Sequence, residues 1–357
     1  MCNTATAYSG ELSKFFLPRG SLAIHRDSFG EEQLRGNLVV GEDWVLYDYE
    51  PAVGVVAAEV LTGLQKDEKQ ISPKYFYDER GSQLFDAITQ LPEYYPTRTE
   101  LALFDRFLPE IKQQVPQQPF CVVEYGSGSS KKIRRVLNVL QPTAYIPVDI
   151  SRQYLLDNAR QLKTDFLELA MYPVCADIGE SFALPEEVHA MRKLGFFPGS
   201  SIGNFSPEEA MRFLQRVRLT LGHDAQLLIG VDAKKSVAVL EAAYNDSAGV
   251  TAEFNLNALL HLNEQLGADF NPKQFAHVAR YNAELGCVQM FLRSRVAQQV
   301  TIGQTIIDFA AHELIHTEDS YKYQPQEFSR IAQQAGFEQT SLWQDDDAWY
   351  SIFLLHS

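Results

Sequence analysis

The stretch Val122-Val123-Glu124-Tyr125-Gly126-Ser127-Gly128-Ser129-Ser130-Lys131-Lys132 reads as an apolar strand that enters a tight glycine turn and opens a helix. A corner of this kind is where open α/β sheets seat nucleotide-containing cofactors. A dinucleotide fingerprint wants a further glycine three residues after Gly128, and Lys131 stands there instead. That glycine lets the helix approach closely and set a pyrophosphate on its N-terminus, so its absence favours a nucleoside ligand without phosphates. S-adenosylmethionine is the commonest such ligand, held with a Glu before the glycines, here Glu124, and an acid at the end of the next strand. A strand-turn-helix corner with no ligand would carry similar residues.

From Pro119 onward strands and helices alternate, the pattern of a parallel sheet covered on both faces. The expected strands are Phe120–Tyr125, Tyr145–Ile150, Tyr172–Ala176, Leu194–Ser200 and Ala225–Val231. Helices are expected over Lys131–Leu140, from a Ser151 cap to about Leu167, and from the start signals Ser206-Pro207-Glu208-Glu209. Polar residues mark the strand ends at Glu124, Asp149, Asp177, Asn204 and Asp232, where ligands bind in open α/β sheets. Residues 234–323 interrupt the alternation with helices near Val237–Tyr244 and Thr251–Gln265 and strand-like pieces at Ala276–Tyr281, Cys287–Arg295 and Gln304–Phe309. A helix over Pro325–Ala335 and strands Gln339–Trp343 and Tyr350–Leu355 then suit the hairpin that closes a seven-stranded methyltransferase sheet.

The expected fold class is therefore α/β: a parallel sheet closed by an antiparallel hairpin, as suits a seven-stranded methyltransferase sheet, with a second, substrate-binding domain. Residues 116–233 and 324–357 form the core, and residues 1–115 with the insertion 234–323 form the substrate domain, folded over the crevice. Within the N-terminal part, helices are expected over Val55–Leu64, Gln83–Gln90 and Thr99–Gln113, followed by a glutamine-rich linker, Gln114–Gln118. Tyr75, Phe76, Tyr77, Tyr94 and Tyr95 sit beside prolines and charges, and rings in a connector must pack on a neighbour or face a ligand.

Formal net charge is -15, with 31 basic against 46 acidic residues and no Lys/Arg tract long enough to act as a phosphate footprint, which argues against nucleic acid as substrate. Met1–Gly20 lacks the features of a signal peptide, and no run approaches the ~18 to 20 apolar residues of a membrane span. A cytoplasmic monomer acting on a small molecule, away from membranes, is the expectation. Cys2, Cys121, Cys175 and Cys287 form no CxxC pair and have no histidine at ligand spacing, so no metal is expected, and Cys121 and Cys175 read as buried thiols.

Several blocks in order make the chain resemble the histidine-specific α-N-methyltransferases that form hercynine on the way to ergothioneine. They are Tyr75-Phe76-Tyr77-Asp78 with Gly81-Ser82, Leu91-Pro92-Glu93-Tyr94-Tyr95-Pro96-Thr97-Arg98, the Glu124–Ser129 loop, Gly199-Ser200-Ser201-Ile202-Gly203-Asn204, Ala243-Tyr244-Asn245-Asp246 with Ala248-Gly249-Val250-Thr251, and Thr317-Glu318 with Ser320 and Lys322. The resemblance implies a Rossmann-like class I methyltransferase core plus a substrate domain, with S-adenosylmethionine on Gly126, Lys132, Asp149 and the Asp177-Ile178 pair. An acid ending the second strand suits both ribose hydroxyls, Asp177 can accept from the adenine amino group, and a lysine should reach the methionine carboxylate rather than the sulfonium.

For the amino acid the resemblance implies Tyr94, Asn204, Tyr244, Glu318 and Ser320, with Tyr77 near the amine and Tyr77 and Tyr94 orienting it for attack. Glu318 and Ser320 alternate along a strand and share a face, so they can grip an imidazole together. Met290 lines the ring pocket or packs in the core. The implied reaction is trimethylation of the α-amino group of L-histidine. The alternatives are a methyltransferase for another histidine- or tryptophan-derived amine, a non-catalytic S-adenosylmethionine-binding module, and a nicotinamide dehydrogenase, against which the missing glycine counts.

Overall fold

Each residue of strand β1 (Phe120–Tyr125) is buried, as a central parallel strand covered on both faces requires. Cys121, Val123 and Tyr125 point to one face, under the helices Pro207–Leu221 and Pro325–Gln334, and Phe120 and Val122 to the other, under Tyr95–Gln114 and Lys131–Leu140. This period of two divides the core into two apolar layers. A computed structural model describes residues 20–21, 37–40, 45–49, 53–115 and 119–357. The expectations for Met1–Gly20 (apart from Gly20), for Cys2 and for linker residues 116–118 lie outside the described residues.

The other core strands are β2 (Ala144–Asp149), β3 (Val174–Cys175), β4 (Arg192–Phe197), β5 (Gln226–Asp232), β9 (Glu338–Gln344) and β10 (Tyr350–His356). They lie in the order β3–β2–β1–β4–β5–β10–β9, parallel through β5, with β10 antiparallel to both of its neighbours. The expected third strand, Tyr172–Ala176, is broken into Ala170–Met171 and Val174–Cys175. Pro173 interrupts it, having no N–H to give the ladder.

Three other expectations shift. The helix expected from Thr99 starts at Tyr95, because Pro96 is tolerated in a first turn. Ser151 stands at the N-cap of Arg152–Asp165, but its side chain makes no cap bond, and Asp149 Oδ1 accepts its N–H at 2.9 Å instead. Parts of 1–115 join the core: Val45–Asp48 pairs in parallel with β3, and Leu103, Phe104, Leu108 and Ile111 pack in the layer beneath β1. Ser206 caps its helix as expected, and with Glu209 it completes a capping box.

The insertion holds a second sheet, β6 (Phe275–Asn282), β7 (Cys287–Ser294) and β8 (Leu314–Tyr321), antiparallel in that order, with Lys69–Gln70 added in parallel to β8. Thr305–Phe309 pairs with Gln298–Ile302 in a separate hairpin. Across β7 and β8, Val288 faces Ser320 and Met290 faces Glu318, and a register shift follows Met290. Such irregularities re-aim side chains beside functional sites. Among the described residues no helix is long and apolar enough to cross a membrane.

Gly230 on β5 is required by a buried acid beside it. A Cβ there would lie 2.0 Å from Glu100 Oε1 and 2.5 Å from Tyr350 Oη. Gly230→Ala is expected to destabilise the protein by about 1–3 kcal/mol, the usual cost of overpacking, read as a lowered denaturant midpoint.

Candidate active site

A cavity of about 330 Å³ opens at the carboxyl ends of β1, β2 and β3. Gly126, Gly128, Asp149, Asp177 and Ile178 line it, with Tyr77 and Phe85 reaching in from the N-terminal region. The turn after β1 is shaped by Gly126 at φ +70°, and a Cβ on Gly126 would meet no atom within 4 Å, so the main chain there lies open to a ligand. Gly126 and Ser127 both donate their N–H to the Val148 carbonyl, at 2.8 and 3.0 Å, which ties the turn to β2.

Asp149 ends β2 with its oxygens directed by backbone: Oδ2 accepts from Gly128 N at 3.1 Å and Oδ1 from Ser151 N at 2.9 Å. Burial raises its carboxyl above the ordinary value, against those hydrogen bonds. A lone pair on each oxygen remains, which suits a pair of vicinal hydroxyls. Asp177 accepts from Gly179 N at 2.8 Å and from Lys74 Nζ at 3.3 Å, and Lys74 is held in turn by Glu59 at 2.7 Å. These residues fit an adenosyl group: an acid for the ribose, a second acid and a main-chain edge at Ile178 for the base, and a side-chain-free turn.

Lys132 is not among the residues lining this cavity. Its Nζ lies 2.6 Å from Glu100 Oε2, and Glu100, fully buried, also accepts from Gly199 N at 2.9 Å and Tyr350 Oη at 2.9 Å. Glu124 does not line it either: it is buried under the turn and accepts from the Tyr145 hydroxyl. The sequence reading passed over Phe85 and Tyr154. Tyr154 joins the lining, its hydroxyl donating to Asp86 Oδ2 at 2.8 Å.

A smaller inner cavity adjoins the first, and Tyr77, Tyr94, Asn204, Tyr244, Glu318, Ser320 and Met290 all line it. Residues scattered over the chain are thus brought together. Tyr77 ends the turn Pro73–Phe76, Tyr94 precedes the helix at Tyr95, Asn204 ends the turn after β4, Tyr244 ends the helix Val237–Tyr244, and Glu318 and Ser320 share one face of β8. Tyr77, Phe85, Ser201 and Asn204 line both cavities and form the wall between them.

Glu318 is buried and has no hydrogen-bond partner among the described residues. Burial pushes its carboxyl up to about 8, with the nearby Lys322 ammonium opposing and Asp319 adding to the rise. Burial likewise lifts the Tyr77 and Tyr94 phenols well above their ordinary value, so both are neutral donors near pH 7 rather than bases. Tyr77 packs edge-on against Phe254 at 5.5 Å and Phe85 at 6.0 Å, and Tyr94 against Tyr244 at 6.2 Å, which lines the inner cavity with ring faces and edges.

Behind this lining is a charged cluster that the sequence reading did not assign. Lys322 is 1% exposed and pairs with Asp232 Oδ2 at 3.0 Å, and Asp232 also takes Lys235 Nζ at 2.5 Å and the Tyr95 hydroxyl at 2.6 Å. Burial acts to raise the Asp232 carboxyl, but the Lys322 and Lys235 ammonium groups outweigh it and hold it below its ordinary value. The available signal was the strand period, which puts Lys322 in phase with Glu318 and Ser320.

The strand order, the acid ending β2 and the cavity over β1 to β3 define a class I methyltransferase. The model of the histidine-specific, S-adenosylmethionine-dependent methyltransferases matches residues 56–357, and the chain belongs to that family. It is 37% identical over 309 residues to a histidine N-alpha-methyltransferase of Mycolicibacterium smegmatis, covering 85% of this chain and 95% of that one. To the protein of the same description from Mycobacterium tuberculosis it is 36% identical over 302 residues, 83% of this chain and 93% of that one. It is 32% identical over 284 residues to ergothioneine biosynthesis protein 1 of Neurospora crassa, 77% of this chain and 32% of that longer one.

The unpaired acid leaves a pH signature. The folded protein binds the Glu318 proton more tightly than the unfolded chain, whose value is near 4.5, so this group's contribution to stability is full below about 4.5 and is lost as pH rises towards about 8. The thermal midpoint of Glu318→Gln is therefore expected to fall less steeply than that of the unaltered protein between those pH values, measured without ligands.

Proposed function

We infer that the chain transfers three methyl groups in succession from S-adenosylmethionine to the α-amino nitrogen of L-histidine, giving hercynine, a precursor of ergothioneine. The observation that carries the choice of acceptor is Glu318: a buried carboxyl with no hydrogen-bond partner among the described residues, in the lining of a cavity that shares a wall with the cofactor cavity. A ligand that leaves such an acceptor unmatched pays roughly 1–3 kcal/mol or more, so amino acids without a ring N–H are rejected. Membership of the histidine-specific family supports the same reading.

When bound, S-adenosylmethionine supplies the methyl group on a sulfonium. Asp149 holds both ribose hydroxyls, Asp177 and the Ile178 backbone read the adenine, Gly126 admits the cofactor to the main chain, and Lys132 gives its remaining N–H groups to the methionine carboxylate. In the inner cavity Glu318 and Ser320 face the imidazole, while Asn204 and Tyr244 face the substrate carboxylate. Asn204 stands in the shared wall, where its side-chain carbonyl can also accept from the amine.

The amine must be unprotonated to attack. Tyr77 and Tyr94 orient it as neutral hydrogen-bonding groups, and its proton leaves through water rather than to a dedicated base. A neutral amine attacking a sulfonium needs no Lewis acid, so alignment across the wall and exclusion of water supply most of the acceleration. As methyls accumulate the nitrogen loses its hydrogens, and the faces of Tyr77, Phe85 and Tyr94 accommodate the growing cation. The excess of 46 acidic over 31 basic residues supports free small-molecule substrates over nucleic acid.

Incubation with methyl-labelled S-adenosylmethionine and each amino acid tests this reading: histidine is expected to accept label up to the trimethyl product, and amino acids without a ring N–H, such as phenylalanine and leucine, to accept none. Unlabelled histidine would overturn it. Asp149→Ala is expected to raise KM for S-adenosylmethionine and leave that for histidine little changed. Glu318→Ala should do the converse, raising KM for histidine by about 10- to 100-fold, the loss of one charge-assisted hydrogen bond. Equal effects on both substrates would detach these acids from their assigned cavities.

A further inference from the structure

Lys322 has a buried ammonium with three hydrogens, and all three find acceptors: Asp232 Oδ2 at 3.0 Å, Tyr244 Oη at 2.8 Å and Ser320 Oγ at 2.8 Å. The acceptors come from the end of β5, the end of the helix Val237–Tyr244, and β8. An ammonium only donates, so Tyr244 and Ser320 must each turn a lone pair towards it. The two hydroxyl oxygens are themselves 2.7 Å apart, and that separation requires a hydrogen between them. Two hydroxyls own two hydrogens. One lies between the oxygens, neither can go to Lys322, and one is left to face the cavity.

We propose that Lys322 is a positioning residue of the acceptor site: by donating to both hydroxyls it leaves the Tyr244–Ser320 pair a single outward O–H for the bound amino acid, beside the Glu318 carboxyl. The proposal rests on the reading of the inner cavity as the histidine site. It adds a constraint to that reading, because the one hydrogen can serve the substrate carboxylate through Tyr244 or a ring nitrogen through Ser320, but not both at once. Lys322 itself reaches no substrate in this arrangement. Desolvation acts to lower its pKa, but the Tyr244 and Asp232 contacts outweigh it and keep the ammonium charged.

The arrangement has a consequence that a purely structural lysine would not produce. In Tyr244→Phe the surviving Ser320 hydroxyl still accepts from Lys322, and its own hydrogen is freed for the substrate. In Ser320→Ala the same holds for Tyr244. The double variant has no donor left. Each single variant is therefore expected to raise KM for histidine by less than about tenfold, and the double variant by at least about tenfold more than the product of the two. Affinity for S-adenosylhomocysteine should be unchanged in all three.

Lys322→Met is expected to raise KM for histidine in the unaltered background and to add little in the double variant, since the hydroxyls through which it acts are gone. Multiplicative losses around the hydroxyl cycle, or an equal effect of Lys322→Met in both backgrounds, would overturn the proposal. The hydroxyl cycle keeps the Lys322–Asp232 pair intact and decides the matter if Lys322→Met does not fold. Histidine methylation with multiplicative losses rejects this proposal alone, whereas an unaltered protein that does not methylate histidine rejects the functional reading beneath it as well.

Discussion

Asp232 and Lys322 form an ion pair at 3.0 Å in which neither side chain is more than 1% exposed. Two charges taken out of water are tolerable when every remaining lone pair and hydrogen is satisfied, and removing one partner of such a pair costs about 3–5 kcal/mol because the other is left uncompensated. The neighbours meet that condition. Tyr95 and Lys235 complete the shell of Asp232, and Tyr244 and Ser320 that of Lys322. Asp232 belongs to the core sheet, Tyr244 and Ser320 to the insertion, and Tyr95 to the helix that opens beside Tyr94. The inner cavity is thus tied to the same sheet whose strand ends carry the outer one.

A second buried acid does comparable work on the wall between the cavities. Both oxygens of Glu100 accept from Gly199 N, and the carboxylate also takes Lys132 and the Tyr350 hydroxyl. This clamps the turn that carries Ser201 and Asn204. The turn is conformationally demanding: Gly199 has φ +83° and Ser200, a non-glycine, φ +58°. Left-handed backbone at a non-glycine residue persists only where its surroundings over-determine it. Here Ser200 Oγ accepts from Asp232 N at 2.8 Å, and on the other side a Cβ at Gly203 would come within 2.7 Å of the Tyr321 carbonyl on β8. The shared wall is held by both charged clusters and by the second sheet.

Against that background the extent of what the sequence disclosed has a physical explanation. The β1 run and the acids at strand ends were legible because burial on two faces and a ligand crevice at carboxyl ends impose local patterns. The inner-cavity residues were reached through the order of sequence blocks, and the two-residue spacing of Glu318 and Ser320 gave their shared face. Glu100, Asp232 and Lys322 as buried anchors were not legible, since a charged residue in a sequence reads as solvated until its partners are known, and these partners lie far apart along the chain. The same holds for Val45–Asp48, whose pairing with β3 is non-local, and for Lys132, whose contact with Glu100 depends on the packing of two helices. Pro173 was visible, but its break in the third strand was overridden in the reading by the apolar run around it.

The buried acids of this region differ in one respect that bears on selectivity. Glu100, Glu124 and Asp232 all have partners supplied by the protein, so a ligand has nothing to add to them. Glu318 has no hydrogen-bond partner among the described residues, although it lies on the same strand face as Ser320 and opposite Met290. The fold therefore carries the desolvation of one carboxylate that it leaves to the substrate to relieve, and burial raises its proton affinity accordingly. A side chain that offers an N–H at that point recovers the lost hydrogen bond, and one that offers a methyl or nothing leaves the penalty in place. The surrounding hydroxyl oxygens are held by Lys322 and by one another, which fixes where their one remaining hydrogen can point. Discrimination then follows less from the shape of the cavity than from this one unmatched carboxyl, whose neighbours are fixed by the Lys322 network behind it.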